Sequence, residues 1–174
     1  MKTKTFLFIV LSSLLAVACS KDSETPPSFN KITEEQLKSY FPYAKGDQME
    51  FEPENAPWNF ITYTVKEFAF ANKEGKMTVT VSMAGREPAS KTDDFSIELN
   101  AEVTDNKILK IDFAERIITI PSSLVTGTYT YDAGKEDGLP EEITLSNGAI
   151  VKKDKGLVYY EDYDSNKIYF LRRK

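Results

Sequence analysis

The sequence predicts an all-β fold: an antiparallel meander closed into a barrel, with one short helix near its beginning. Long stretches alternate apolar and polar residues with a period of two, as strands with one buried face do. Short turn signals separate these stretches, and Asn147-Gly148 is a strong signal for a two-residue hairpin. Closure into a barrel would protect the strand edges, and a β-sandwich is the alternative that the same pattern allows.

The helix is predicted to begin at Thr33. Gln36 lies three residues later, which is the spacing of a capping box. Leu37, Tyr40 and Phe41 would form its apolar side, and Pro42 would end it. We expect this helix to pack against one end of the β structure.

The clearest strands lie in the middle of the chain, where the alternation is unbroken across residues 77–83, 95–103 and 109–113. Further strand-like runs are 60–70, 117–120, 128–132, 142–145, 149–153, 156–161 and 167–172. So many neighbours are joined by short turns that lipocalin-like closure is favoured over a sandwich. The longest polar loop of the first half spans 86–94.

The composition of the chain argues against several classes of function. The chain has 174 residues, of which 41% are hydrophobic, so residues 32–174 can form a single β domain with a real core. The net charge of −5 argues against sequence-independent binding of nucleic acid, which needs a basic surface. The chain contains no histidine and one cysteine, which excludes a Ser-His-Asp triad, a zinc site built on His and Cys, and an internal disulfide.

Residues 1–18 have the pattern of a signal peptide. The positively charged n-region contains Lys2 and Lys4. The uncharged run from Phe6 to Ala18 is shorter than the roughly 20 residues that a membrane-spanning helix needs. Residues 19–31 are rich in Ser, Pro, Lys and acidic groups, and they are predicted to be a flexible tether.

The run ends in Leu15-Ala16-Val17-Ala18-Cys19, which resembles the lipobox of bacterial lipoproteins. The resemblance implies cleavage before Cys19 and a thioether-linked diacylglycerol on its sulfur. Further acylation, of the palmitate kind, would give the two or more chains that stable anchoring requires. Ala16 departs from the leucine that is usual at that position.

The segment Ser20-Lys21-Asp22-Ser23-Glu24 resembles the short acidic export signal of Bacteroidota surface lipoproteins. The hairpin-rich final stretch, residues 143–171, is similar to the ends of small lipoproteins of that phylum. This resemblance implies an outer-membrane lipoprotein exposed on the cell surface, with a periplasm-facing anchor as the alternative.

The sequence of the β domain contains no recognisable catalytic set, and we expect neither a cofactor nor a metal site. Asp162, Asp164 and Asn166 have a spacing that could offer oxygen ligands to calcium, but Lys167 and Arg173 occupy positions where an EF-hand has glycine and glutamate. We therefore interpret this segment as a polar turn.

Aromatic residues are the remaining candidates for ligand binding. Sugar rings stack on aromatic faces, and we name Trp58, Tyr129, Tyr131 and Tyr160 as candidate stacking residues. Tyr129 and Tyr131 share one face of their strand, as do Val158 and Tyr160. The alternative is that these rings complete the core or its rim.

Three functions follow in order of support. The first is a non-enzymatic binding or accessory module of the cell envelope, for a glycan or a small apolar ligand. The second is a structural or interaction protein with an envelope-protein partner. The third is a hydrolase that uses two carboxylates.

Overall fold

The computed structural model describes residues 31–55, 59–120, 122–136, 138–162 and 167–171. Its elements follow in chain order: α1 (Glu34–Ser39), β1 (Gln48–Pro53), β2 (Ile61–Lys73), β3 (Lys76–Arg86), β4 (Phe95–Thr104), β5 (Ile108–Ile117), β6 (Val125–Asp132), β7 (Glu142–Thr144), β8 (Ile150–Lys152), β9 (Gly156–Asp162) and β10 (Lys167–Leu171).

The strands form a single antiparallel sheet that curls into a nearly closed barrel. Their order is β6-β5-β4-β3-β2-β1-β10-β9-β8-β7. Strands that are neighbours in sequence pair with each other, except β6 and β7, which form the two edges of the sheet. In addition β1 pairs with β10, which brings the first and the last strand together. The prediction of an all-β barrel with one short helix is therefore confirmed.

The barrel has two different ends. The turns after β2, β4 and β8 lie at the end that carries α1, which we call the helix end. There the Ile32 N–H donates to the Asn106 oxygen, and the Asp154 N–H donates to the Ser39 oxygen. The turns after β1, β3, β5 and β7 lie at the opposite end, which we call the loop end.

Helix α1 plugs the helix end as predicted. The Gln36 N–H donates to the Thr33 hydroxyl at 3.2 Å, and the Thr33 N–H donates to the Gln36 side chain at 2.8 Å, which completes the capping box. Leu37, Tyr40 and Phe41 are buried in the core. The helix thus covers apolar residues that would otherwise be open to water at this end of the barrel.

Aromatic rings fill the interior of the barrel. Tyr160 on β9 lies at the centre and contacts Phe51, Tyr63 and Phe113, with ring centroids 5.2 to 6.4 Å apart. Its other face stacks on Tyr169 at 5.1 Å and 9°. Such closely spaced aromatic rings contribute beyond the apolar area they bury.

One predicted strand is wrong in part. The run 117–120 does not continue as a strand, because β5 ends at Ile117. The Ser123 hydroxyl accepts from the Ile117 N–H at 2.8 Å and donates to the Ile117 oxygen at 3.2 Å, which turns the chain away from the sheet. Ile118 and Ile120 are consequently exposed on the loop rather than paired.

The barrel is completed at a seam between β6 and residues 142–147. The Ser146 N–H donates to the Thr128 oxygen at 2.9 Å, and the Thr128 N–H donates to the Ser146 hydroxyl at 3.0 Å. Beside this contact Gly127 lies directly against the side chain of Asn147: a Cβ on Gly127 would be 1.9 Å from the Asn147 Oδ1 atom. The two edges can meet there because residue 127 has no side chain.

Candidate binding groove on the outer face of the barrel

A groove of about 490 Å³ lies on the outer face of β8, β9 and β10. Its volume is within the range of about 300–1,000 Å³ that is common for small-molecule sites. It is lined by Glu142, Ile150, Lys152, Lys155, Val158, Tyr159, Phe170 and Leu171. An apolar floor and charged rim residues thus meet in one concave surface.

A β-bulge in β9 shapes the groove. Ile150 is opposite Tyr159, but Val151 is opposite Leu157, so Val158 is an extra residue in the pairing of β8 with β9. A bulge bends its strand and changes where the side chains point. Here it brings two consecutive residues, Val158 and Tyr159, into the lining of the same groove.

The floor carries an aromatic pair from two strands. Tyr159 of β9 is opposite Phe170 of β10, and their ring centroids are 5.1 Å apart with the planes at 64°. Phe170 remains 39% exposed, so part of its ring is open to a ligand. Large hydrophobic side chains of this exposure within a concave patch are typical of binding sites.

Polar groups flank the aromatic pair. The Lys152 ammonium lies 2.6 Å from a Glu142 carboxylate oxygen, and both side chains are 42% exposed. The Tyr159 hydroxyl donates to Glu161 at 2.6 Å. Because an exposed ion pair adds only about 0–1 kcal/mol to stability, the fold does not depend on it, and its donors and acceptors can serve a ligand.

The structure corrects two of the predicted stacking residues. Tyr131 and Tyr160 are only 1% and 0% exposed, so neither offers a ring face to an external ligand. Tyr129 shares the inward face of β6 with Tyr131 and is half-buried against the core. Trp58 lies outside the described residues, as do the side chains of the Asp162–Asn166 segment.

Both buried tyrosines have polar partners inside the protein. The Tyr131 hydroxyl donates to the Gly138 oxygen at 2.5 Å. The Tyr160 hydroxyl lies 3.2 Å from that of Tyr63, which in turn donates to the buried Glu115 at 3.3 Å. Burial raises the pKa of Tyr63 and of Tyr160 well above 10, so both hydroxyls keep their protons at neutral pH. These rings belong to the core of the domain.

Tyr159 and Phe170 are the groove residues that the sequence analysis did not identify. The pattern of residues 158–160 suggests that Val158 and Tyr160 share a face, whereas the bulge separates them. Phe170 is 11 residues further along, and only the pairing of β9 with β10 places it next to Tyr159. The one feature of the sequence that could have identified Tyr159 is the alternation pattern, which places it on the face opposite to Val158 and Tyr160.

Within the described ranges, no three Asp, Glu, Cys or His side chains are grouped so as to hold a metal ion. The same residues include no helix with the length and hydropathy to cross a membrane. No family model, no curated protein and no solved structure matches the chain.

Proposed function

We propose that this protein is a lipid-anchored, non-catalytic binding module of the bacterial cell envelope, and that its ligand is a glycan held in the groove of β8–β10. The observation that carries the proposal is the Tyr159–Phe170 pair, of which Phe170 is exposed, in the same groove as the Lys152–Glu142 ion pair. This combination suits a ligand that has both an apolar face and many hydroxyl groups.

A sugar ring has those two properties. Its axial C–H groups form a weakly positive, apolar face that can lie on the negative face of an aromatic ring. Its hydroxyl groups donate to carboxylates such as Glu142 and accept from ammonium groups such as Lys152. The groove therefore offers stacking and hydrogen bonding within reach of the same ring.

The packing of the interior favours a glycan over a small apolar ligand inside the barrel. The rings of Phe51, Tyr63, Phe113 and Tyr160 are all at most 1% exposed and contact one another across the interior. An apolar ligand there would have to displace this packed cluster. The outer groove requires no such rearrangement.

The anchor part of the proposal is supported by the lipobox-like residues 15–19 and by the way the chain enters the fold. Residues 20–31 would link Cys19 to the domain, and Ile32 enters it at the helix end through its bond to Asn106. The groove is on the side wall of the barrel, so a tether at the helix end leaves it accessible.

Replacing Phe170 with alanine should weaken glycan binding about five- to tenfold, because a stacking contact contributes about 1 kcal/mol. A soluble glycan array would identify a ligand for the protein, and titration calorimetry would give the affinity of each variant. Ile120→Ala is the matched control, since Ile120 is similarly exposed, at 45%, but lies on the loop after β5. If F170A and the unmodified protein bound the glycan with equal affinity, the groove would not be the binding site. If no glycan on the array bound, the ligand would not be a glycan.

Replacing Cys19 with alanine should abolish incorporation of labelled fatty acid, because the thioether cannot form without the sulfur. The protein should also be released from the membrane or mislocalised, since stable anchoring depends on the acyl chains. Cys19→Ser is the closest control in size and should give the same loss. Retention of label in either variant would show that the lipid is attached elsewhere.

A further inference from the structure

We propose that the loop after β5 is a membrane-contact surface, whose exposed aliphatic side chains enter the interface of the bilayer to which the protein is anchored. The side chains are those of Ile118, Ile120 and Leu124, and we call them the apolar loop. The inference rests on the proposed lipid anchor at Cys19. It adds a second contact with the same membrane, which would fix the orientation of the barrel.

Exposed apolar side chains are concentrated on one side of the barrel. In the part of the chain that the structure describes, five large hydrophobic side chains are exposed. Three of them form the apolar loop, with 45% to 49% of their surface open to water, and a fourth is Ile108 at the start of β5. Apolar groups gathered on one side are typical of a surface that binds a protein or a membrane.

The composition of the apolar loop suits lipid better than protein. Residues 117–125 contain no Asp, Glu, Lys or Arg, so no charge has to leave water when the side chains enter the bilayer interface. The exposed groups are aliphatic, whereas protein interfaces depend mostly on Trp, Tyr and Arg. Three side chains are also far fewer than the about 20–30 residues that each side of a stable protein interface contributes.

Backbone groups of this loop are already hydrogen-bonded within the protein. The Ile118 N–H donates to the Asp94 oxygen at 2.7 Å, and the Ile120 N–H donates to the Ile117 oxygen at 3.0 Å. The Ser123 N–H donates to the Ile120 oxygen at 3.0 Å. These bonds matter because lipid offers no partners for backbone groups. The loop can therefore place its side chains in an apolar layer without leaving these N–H groups unpaired.

The tether and the apolar loop lie at the two ends of the same strand. The Ile32 N–H donates to the Asn106 oxygen, in the turn that leads into β5, and the apolar loop follows the last residue of β5. The 10 residues of β5 are about 33 Å long, whereas residues 20–31 can span up to about 40 Å. The tether is thus long enough for Cys19 and the apolar loop to reach the same membrane.

The anchor also makes a small apolar contact sufficient. Three half-exposed side chains alone would bind a bilayer weakly, since even a whole myristoyl chain does so. A protein that is already attached through Cys19 meets the bilayer at a high effective concentration. The second contact then forms within one molecule and does not need a high affinity of its own.

Contact through the β5 side would turn the candidate groove away from the membrane. In the order of the ten strands, β10 is five steps from β5, which is half of the circumference of a barrel. The groove on β8–β10, which contains Phe170, therefore lies on the wall opposite β5. The lipid and the apolar loop together would present this groove to the medium.

Fluorescence quenching by brominated lipids tests the proposal on residues 19–174, a range that contains all the described residues. Cys19 is the only cysteine, so its thiol can be coupled to a maleimide lipid in phosphatidylcholine vesicles. Trp58→Phe removes the only native tryptophan, and Ile120→Trp places the reporter in the apolar loop. Bromine on the acyl chains should lower the fluorescence at least about twofold, because the reporter lies at the boundary of headgroups and chains.

Phe170→Trp in the same background is the matched control. Phe170 is also exposed, at 39%, but lies on the opposite wall, so its fluorescence should be the same with and without bromine. Adding Ile118→Ser and Leu124→Ser to the Ile120→Trp variant should remove most of the quenching, because two of the three apolar groups are lost. Substitutions at exposed positions cost little stability, and an unchanged circular dichroism spectrum would verify the fold.

Three results would overturn the proposal. Quenching of the Ile120→Trp variant that is no greater than that of the Phe170→Trp variant would mean that the loop does not enter the bilayer. Quenching that survives the two serine substitutions would mean that apolar side chains do not make the contact. If the uncoupled protein formed a dimer that the serine substitutions abolish, the apolar loop would belong to an interface with a second copy. Because the anchor is synthetic, these results do not depend on whether cells lipidate Cys19, which the labelling of Cys19→Ala tests separately.

Discussion

Gly127→Ala is expected to lower the free energy of unfolding by about 3 kcal/mol, because the new methyl group cannot coexist with the Asn147 side chain. The Cβ would lie 1.9 Å from Oδ1 and 2.3 Å from Cγ of Asn147, so the buried Asn147 side chain must be displaced, or β6 or the turn after β7 must move. Movement of the strand or of the turn would also strain the two hydrogen bonds between Thr128 and Ser146. Urea unfolding followed by circular dichroism would measure the loss.

The matched control is the double variant Gly127→Ala with Asn147→Gly. Removing the Asn147 side chain clears the space that the methyl group needs, at the cost of its bond from the Ala149 N–H, about 1 kcal/mol. The double variant should therefore be more stable than Gly127→Ala alone, a coupling that adjacent residues are expected to show. A single Gly127→Ala variant within about 0.5 kcal/mol of the unmodified protein would contradict this account of the seam.

Tyr160→Ala is expected to destabilise the domain by about 4 kcal/mol, because it leaves a cavity at the centre of the interior. Tyr160 is fully buried and contacts Phe51, Tyr63, Phe113 and Tyr169. Tyr160→Phe keeps the ring and removes only the hydroxyl contact to Tyr63, so its cost should be about 1 kcal/mol. Thermal and urea unfolding of both variants would test the difference.

The adjacent residue is the natural control for this prediction. Tyr159 is on the same strand but faces the outer groove, so Tyr159→Ala should cost only about 1 kcal/mol. Nearly equal losses for Tyr159→Ala and Tyr160→Ala would mean that the inward and outward faces of β9 are wrongly assigned. Comparison of the two variants thus tests the position of the β-bulge as well as the packing of the core.

Much of the fold could be predicted because its causes are local in the sequence. The capping box of Thr33 and Gln36 specifies the helix start from two residues three positions apart. The alternation in β3, β4 and β5 assigns each residue to the core or to water without knowledge of its neighbours. Hairpin signals such as Asn147-Gly148 then order the strands into a meander.

The groove could not be predicted because it depends on pairings between strands. A register shift opposite Ile150 decides that Val158 and Tyr159 both line it, and no residue type in that stretch marks a bulge. Tyr131 and Tyr160 were wrongly predicted to be open to a ligand for a related reason. Tyrosine is common on both the buried and the exposed face of a strand, so its presence does not show which face is buried. The requirement for glycine at position 127 could not be predicted either, because it comes from contact with Asn147, which is 20 positions away in the sequence.

The pairing of β1 with β10 would determine how the domain responds to a force between the chain before Ile32 and a ligand bound in the groove. A pull on the chain before Ile32 would first peel away α1, whose few bonds can break one after another. The pull would then reach β1, which is hydrogen-bonded on both sides, to β2 and to β10. Those bonds lie across the strand, so they would be loaded together in shear rather than in turn.

A ligand bound at Phe170 would pull on β10, the direct neighbour of β1. The shortest path of the load from the chain before β1 to the ligand would thus cross one strand interface, that of β1 with β10. Such a molecule would lengthen by releasing α1 while its binding groove kept its shape.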